Sequence, residues 1–213
     1  MLRATVGDML HSTRIGKRYC VPSPYPAHGI SKDPQLCSFG PCTTSSSPHQ
    51  LIPSLQVWMS FLHESGLEPH LLQNLAITAA VPGRVQFTLP IEAHHTNRLS
   101  ILHGGTISSM VDLGGSLAVA SRGLYATGLS TDLNVTFLSS GGKTGEIITG
   151  DVTCDKFGKT LAFTSIVFRN AAGETFARGS HTKYVQRSWA NERNMVDEIK
   201  KEAAEGAGAG VSA

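Results

Sequence analysis

From about Thr106 to Ser121 the chain is apolar around nearly the whole circumference of a helix. Ile107, Met110, Val111, Leu113, Leu117, Ala118, Val119 and Ala120 leave no continuous polar face. A helix of this kind has to be surrounded, by protein or by lipid. No apolar run in the chain approaches the roughly 20 residues that cross a bilayer, so protein must supply the cover. The rest of the sequence can provide it. Strand-like runs span about 127–138, 145–155, 160–170 and 174–185, separated by turns at Gly141-Gly142, Gly158-Lys159 and Ala172-Gly173. Leu133, Val135 and Phe137 keep a period of two, as do Leu161, Phe163 and Val167.

Upstream, Leu75 to Val81, the turn Pro82-Gly83, and Arg84 to Ile91 read as a β-hairpin. In its second arm Val85, Phe87 and Leu89 alternate with Arg84, Gln86 and Thr88, which predicts one buried face. Ahead of it, Leu55, Trp58, Met59 and Leu62 recur at helical spacing behind Ser54 as a cap, predicting a short helix that ends near Gly66. The order is helix, two strands, a surrounded helix, four strands. That order predicts an α+β domain over residues 51–188, an antiparallel sheet wrapped around a long central helix. Residues 189–213 carry Val196 and Ile199 on one side and run into Gly-Ala-Gly-Ala-Gly, which reads as a peripheral helix and a frayed tail.

Residues 1–50 hold six of the ten prolines and three of the four cysteines, and predict a flexible extension. Its first 18 residues set Arg3, Arg14, Lys17 and Arg18 against Asp8, with Leu2, Val6, Met9 and Leu10 able to share a helical face. A basic, acid-poor amphipathic start has the character of a mitochondrial transit peptide, and an ordinary disordered tail in a cytoplasmic protein is the alternative. The cysteines form no disulfide framework within the patterned region, and Cys37 and Cys42 lack a second ligand pair, so no metal site is expected. A net charge of +2 without basic clustering beyond the first 18 residues gives no reason to expect nucleic acid as a partner.

Chemistry points to the entrance and middle of the central helix. Leu102-His103-Gly104-Gly105 precedes it, and glycines at a helix start let a ligand approach unpaired N–H groups. Such a start suits a carbonyl or oxyanion, although a plain turn would look the same. Asp112 is more telling. It is the sole charged side chain between Arg98 and Arg122, and a carboxylate in such surroundings is usually partnered or functional.

Several short pieces, in order and together, carry a resemblance. They are His95-Thr96-Asn97, Leu102-His103-Gly104-Gly105, Val111-Asp112, Ser130 to Thr136, Gly158 to Ser165, and His181-Thr182-Lys183. Across Val81 to Val185, about half the chain, the sequence resembles the hotdog-fold acyl-CoA thioesterase superfamily, nearest its thioesterase superfamily member 2 and phenylacetyl-CoA-pathway branches. The resemblance implies hydrolysis of a fatty or aryl acyl-CoA to free acid and CoA, without a cofactor. It implies that the Gly104 N–H polarises the thioester carbonyl, with Gly105 beside the substrate, and that Asp112 activates water or attacks directly. Asn97 and His103 would orient substrate and water, and Ser130 would position water near Asp112. Taken singly, these three are a loop-capping amide, a turn histidine and an ordinary strand serine. Lys159, His181 and Lys183 could meet the phosphates of CoA, with solvated surface charge as the plainer reading. Thr106 and Leu113 depart from the family pattern, which bears on pocket shape.

One inference needs no resemblance. Asp112 lies eight residues beyond Gly104, about 12 Å along a helix. One thioester cannot touch both in the same chain, so a shared reaction requires a homodimer, alone or paired as a homotetramer, with composite sites. A dehydratase or hydratase would need a His–acid pair that is not evident near His94, His95 or His103. A non-catalytic acyl-CoA-binding hotdog domain would keep the glycines but has no need of Asp112 with Asn97 and Ser130.

Overall fold

The computed structural model describes residues 48–208, which lie within the unit Thr44–Ala213. The sequence-predicted extension over residues 1–50 lies outside the description apart from its last three residues, which begin a helix. This first helix, α1 (Pro48–Glu64), starts six residues ahead of Ser54. Ser54 is therefore not a cap. It is fully buried, and its hydroxyl donates 3.2 Å to the Leu117 carbonyl of the central helix, bolting one helix to the other. A one-turn helix, α2 (Glu68–Leu71), follows.

The hairpin pairs β1 (Ala76–Val81) with β2 (Arg84–Pro90), Val81 opposite Arg84, so Pro82-Gly83 is a two-residue turn. Gly83 sits at φ 86°, in the left-handed region that favours glycine. Its N–H donates 2.9 Å to the Ser121 hydroxyl, which ties the turn to the end of the central helix. That helix, α3 (Gly104–Ala120), begins two residues earlier than the sequence predicts.

After α3 come β3 (Leu129–Phe137), β4 (Ile147–Phe157), β5 (Leu161–Arg169) and β6 (Thr175–Tyr184). The sheet runs β1-β2-β4-β5-β6-β3, and every neighbouring pair is antiparallel. The chain thus leaves α3, lays β3 down at the far edge, then crosses to the middle. A last helix, α4 (Val196–Gly208), closes the described chain. None of the described helices is long and apolar enough to cross a membrane.

α3 packs directly on the sheet because glycines let it. A Cβ on Gly114 would meet Ile166 and Val152 at 3.1 Å, and one on Gly115 would strike the His181 ring at 2.5 Å. The face of β5 is the reverse of the alternation given above. Ala162, Thr164, Ile166 and Phe168 are buried, whereas Phe163 is 39% exposed. Both sets are apolar enough to be core. The helix lies on the one that offers Ala162 and Thr164.

Candidate active site

The start of α3 is held from below by His95. This side chain is fully buried; its Nδ1 accepts the Glu92 N–H at 2.9 Å and its Nε2 donates to the Leu71 carbonyl at 2.7 Å. Those partners fix the Nε2–H tautomer, and burial pushes the imidazole pKa down. The His95 carbonyl then accepts the His103 N–H at 2.9 Å and the Thr106 hydroxyl at 3.1 Å. Thr106 thereby helps to fix where the helix begins. His103 caps that helix, its Nδ1 accepting the Gly105 N–H at 2.8 Å. The cap takes Gly105 and leaves the Gly104 N–H without a partner among the described residues.

Asn97 shapes the preceding loop, its Oδ1 accepting the N–H groups of Leu99 at 2.9 Å and Ile101 at 3.4 Å. Its side-chain NH₂ is not used in that turn. Across the helix start lies the Phe137 ring, 3.3 Å from where a Gly104 Cβ would stand. A Cβ there would make the ring give by a few tenths of an ångström.

Two turns further along α3, Asp112 is partnered rather than isolated, and its side chain is 47% exposed in the single chain. Its Oδ1 accepts the Ser130 hydroxyl at 3.0 Å. The same oxygen faces His181 Nε2 at 3.3 Å and Lys183 Nζ at 3.8 Å. Lys183 also donates 2.9 Å to the Ser116 hydroxyl, which donates 3.1 Å to the Asp112 carbonyl. The register explains the grouping. Lys183 of β6 stands opposite Ser130 of β3, and residues 181 and 183 share a face of their strand.

His181 and Lys183 correct an expectation. Both lie beneath α3, at 1% and 3% exposure, so in this chain neither is solvated surface charge or open to a CoA phosphate. Burial, together with the neighbouring Lys183, holds His181 down at about 4, so it is neutral at pH 7. Burial also lowers Lys183, and Asp112 opposes that shift. Lys159 differs from both. It is exposed in the β4–β5 turn, where its carbonyl accepts the Trp189 indole N–H at 3.0 Å.

The site residues thus fall into separate groups within one chain. Gly104, Gly105, His103 and Asn97 stand at the start of α3, Asp112 with Ser130, His181 and Lys183 stands midway, and Lys159 joins neither. An open cavity of about 400 Å³ lies along the continuation of β3 and β6 past Ser130 and Lys183, lined by Ala126, Leu129, Tyr184 and Arg187 among others. Sequence reasoning missed Ser116 and Gly115. Ser116 carries an i, i+4 signal from Asp112. Paired glycines inside a helix cost about 1 kcal/mol each relative to alanine, which is a sign of close approach.

A six-stranded antiparallel sheet with one long helix packed against it is a hotdog fold. The family model described as the thioesterase superfamily matches residues 99–177. A Schizosaccharomyces pombe protein named as an esterase is 45% identical over 141 residues, covering 66% of this chain and 88% of that protein. Human acyl-coenzyme A thioesterase 13 is 38% identical over 115 residues, 54% of this chain and 81% of its own. The crystal structure of zebrafish thioesterase superfamily member 2 superposes with a TM-score of 0.57 at 31% identity, covering 65% of this chain and 99% of that one. The chain belongs to the thioesterase superfamily and is a thioester hydrolase.

Proposed function

We propose that the protein hydrolyses fatty or aryl acyl-CoA to free acid and CoA in a homodimer whose sites each draw on both chains. The observation that carries this is the separation on α3 of an unengaged Gly104 N–H from a partnered Asp112. The thioester carbonyl lies at one chain's Gly104 N–H. The other chain's Asp112 takes a proton from water as the water oxygen bonds to the carbonyl carbon. Negative charge on the carbonyl oxygen is stabilised by the N–H. Collapse breaks the C–S bond, and CoA leaves as the thiol once it takes up the proton. Asn97 offers its side-chain NH₂ and His103 its Nε2 to substrate and water, Ser130 holds the carboxylate, and exposed Lys159 is left to meet a CoA phosphate.

Two features favour a second copy of the chain as the cover for β3. That strand ends the sheet, and its apolar face is open, with Leu133 39% and Phe137 54% exposed. A non-catalytic binding domain would keep the glycine entrance, but it gives no account of a half-exposed carboxylate held by a serine and a lysine.

The test mixes two disabled chains. Asp112→Asn alone should lower kcat by a factor of roughly 100 or more with folding intact, the loss usual for a general base. Asn97→Asp keeps the loop-capping oxygen and removes the amide donor. In mixed dimers one site then carries both defects and the other neither, so activity returns to about a quarter of wild type for random pairing. No recovery, with heterodimers proven by mass spectrometry, refutes the composite site. Wild-type turnover by folded Asp112→Asn refutes the carboxylate. For the basic start of the chain we propose mitochondrial targeting, and a reporter fused to residues 1–50 that stays cytoplasmic overturns it.

A further inference from the structure

Beneath Asp112 stands a group that the hydrolysis as described does not use. Lys183 is 3% exposed, and removing an ammonium from water costs several kcal/mol unless a partner offsets it. An apolar side chain would fill the same space under α3 without that cost. The neighbours of Lys183 indicate what the charge is placed for. It donates to Ser116 Oγ at 2.9 Å and stands 3.8 Å from Asp112 Oδ1. Ser116 is one helical turn beyond Asp112, so anchor and carboxylate share a rigid frame.

The other groups around that carboxylate bring no competing charge. Ser130 of β3 is a neutral hydroxyl. His181 of β6 is held near 4 and is an uncharged ring at pH 7. Thr164 of β5 gives its hydroxyl to the His181 carbonyl at 2.9 Å. α3 itself carries no charged side chain but Asp112. Ser130, His181 and Lys183 all approach Oδ1, whereas Oδ2 accepts no hydrogen bond from a described residue.

Resting on the reading of Asp112 as the catalytic carboxylate, we infer that Lys183 is a positioning residue for hydrolysis. Its buried ammonium, anchored on Ser116, engages Oδ1 and leaves Oδ2 free to face the water. Lys183 does not touch the substrate. It acts through Asp112, by fixing the rotamer of the acting group.

Lys183→Met keeps the length of the stem and removes the charge, and half-exposed Asp112 remains open to water. The expected result is a kcat lowered about tenfold or more with KM within about twofold, the pattern of an interaction made in the transition state. Ser116→Ala should move kcat the same way by less. A merely structural ion pair would change the melting temperature and leave kcat and KM in place. Folded Lys183→Met with wild-type kcat, beside an inactive Asp112→Asn, overturns the role of Lys183 alone. An active Asp112→Asn overturns the reading of Asp112, and Lys183 with it. Should Lys183→Met fail to fold, Ser116→Ala decides on the same readout, and an unchanged kcat there overturns the proposal.

Discussion

Two strands of this protein carry the same pattern and meet opposite fates. In β2, Val85, Phe87 and Leu89 alternate with polar residues and are fully buried. In β3, Leu133, Val135 and Phe137 alternate just as regularly, yet no residue of the strand is fully buried and Phe137 is 54% exposed. The difference lies in position. β2 lies inside the sheet between β1 and β4, while β3 is its last strand, with a neighbour on one side only. Alternation says which face of a strand is apolar. It does not say what covers that face, and an apolar face left open on a folded chain marks an interaction surface.

The comparison can be broken most severely with paired truncations. Phe87→Ala should cost about 3–5 kcal/mol in urea denaturation, because it opens a cavity in a core that cannot collapse onto it. Phe137→Ala should change the stability of the dilute chain by less than about 0.5 kcal/mol, as surface truncations do. If a second copy covers β3, the cost of Phe137→Ala grows with protein concentration while that of Phe87→Ala does not. Equal costs at low concentration would mean that β3 is core within one chain.

A smaller effect separates the two sides of α3 by pH. The side facing β2, β4 and the middle of β5 packs Gly114 against Ile166, Val152 and Phe87, none of which titrates. The side facing β6 covers His181 and Lys183. As pH falls below 6.5, the unfolded chain protonates His181 while the folded chain holds that site neutral until about 4. Stability should therefore fall across that window, by an amount on the order of 3 kcal/mol from this group. His181→Gln should flatten the curve between those values, as followed by thermal melts from pH 7 to 4. An unchanged slope would place the acid sensitivity elsewhere.

The sequence made the element order, the hairpin turn and the surrounded helix legible, because each depends on local periodicity or on a glycine at a turn. It marked Asp112 by contrast, a carboxylate alone among apolar neighbours. The spacing of Gly104 and Asp112 already separated the two groups, since helical rise is fixed by the backbone. What it could not settle was which of two apolar faces a strand buries. Phe163 lies outward and Thr164 inward because α3 needs small partners there, a matter of distances between elements far apart in the chain. Nor could it bring Ser116, Ser130, His181 and Lys183 to one carboxylate. Lys183 reads as a surface cation from its type and its position near the end of a strand. Only the register of β6 against β3, with Gly115 admitting the strand beneath the helix, places its charge in the interior, where pairing with Asp112 offsets the cost of leaving water.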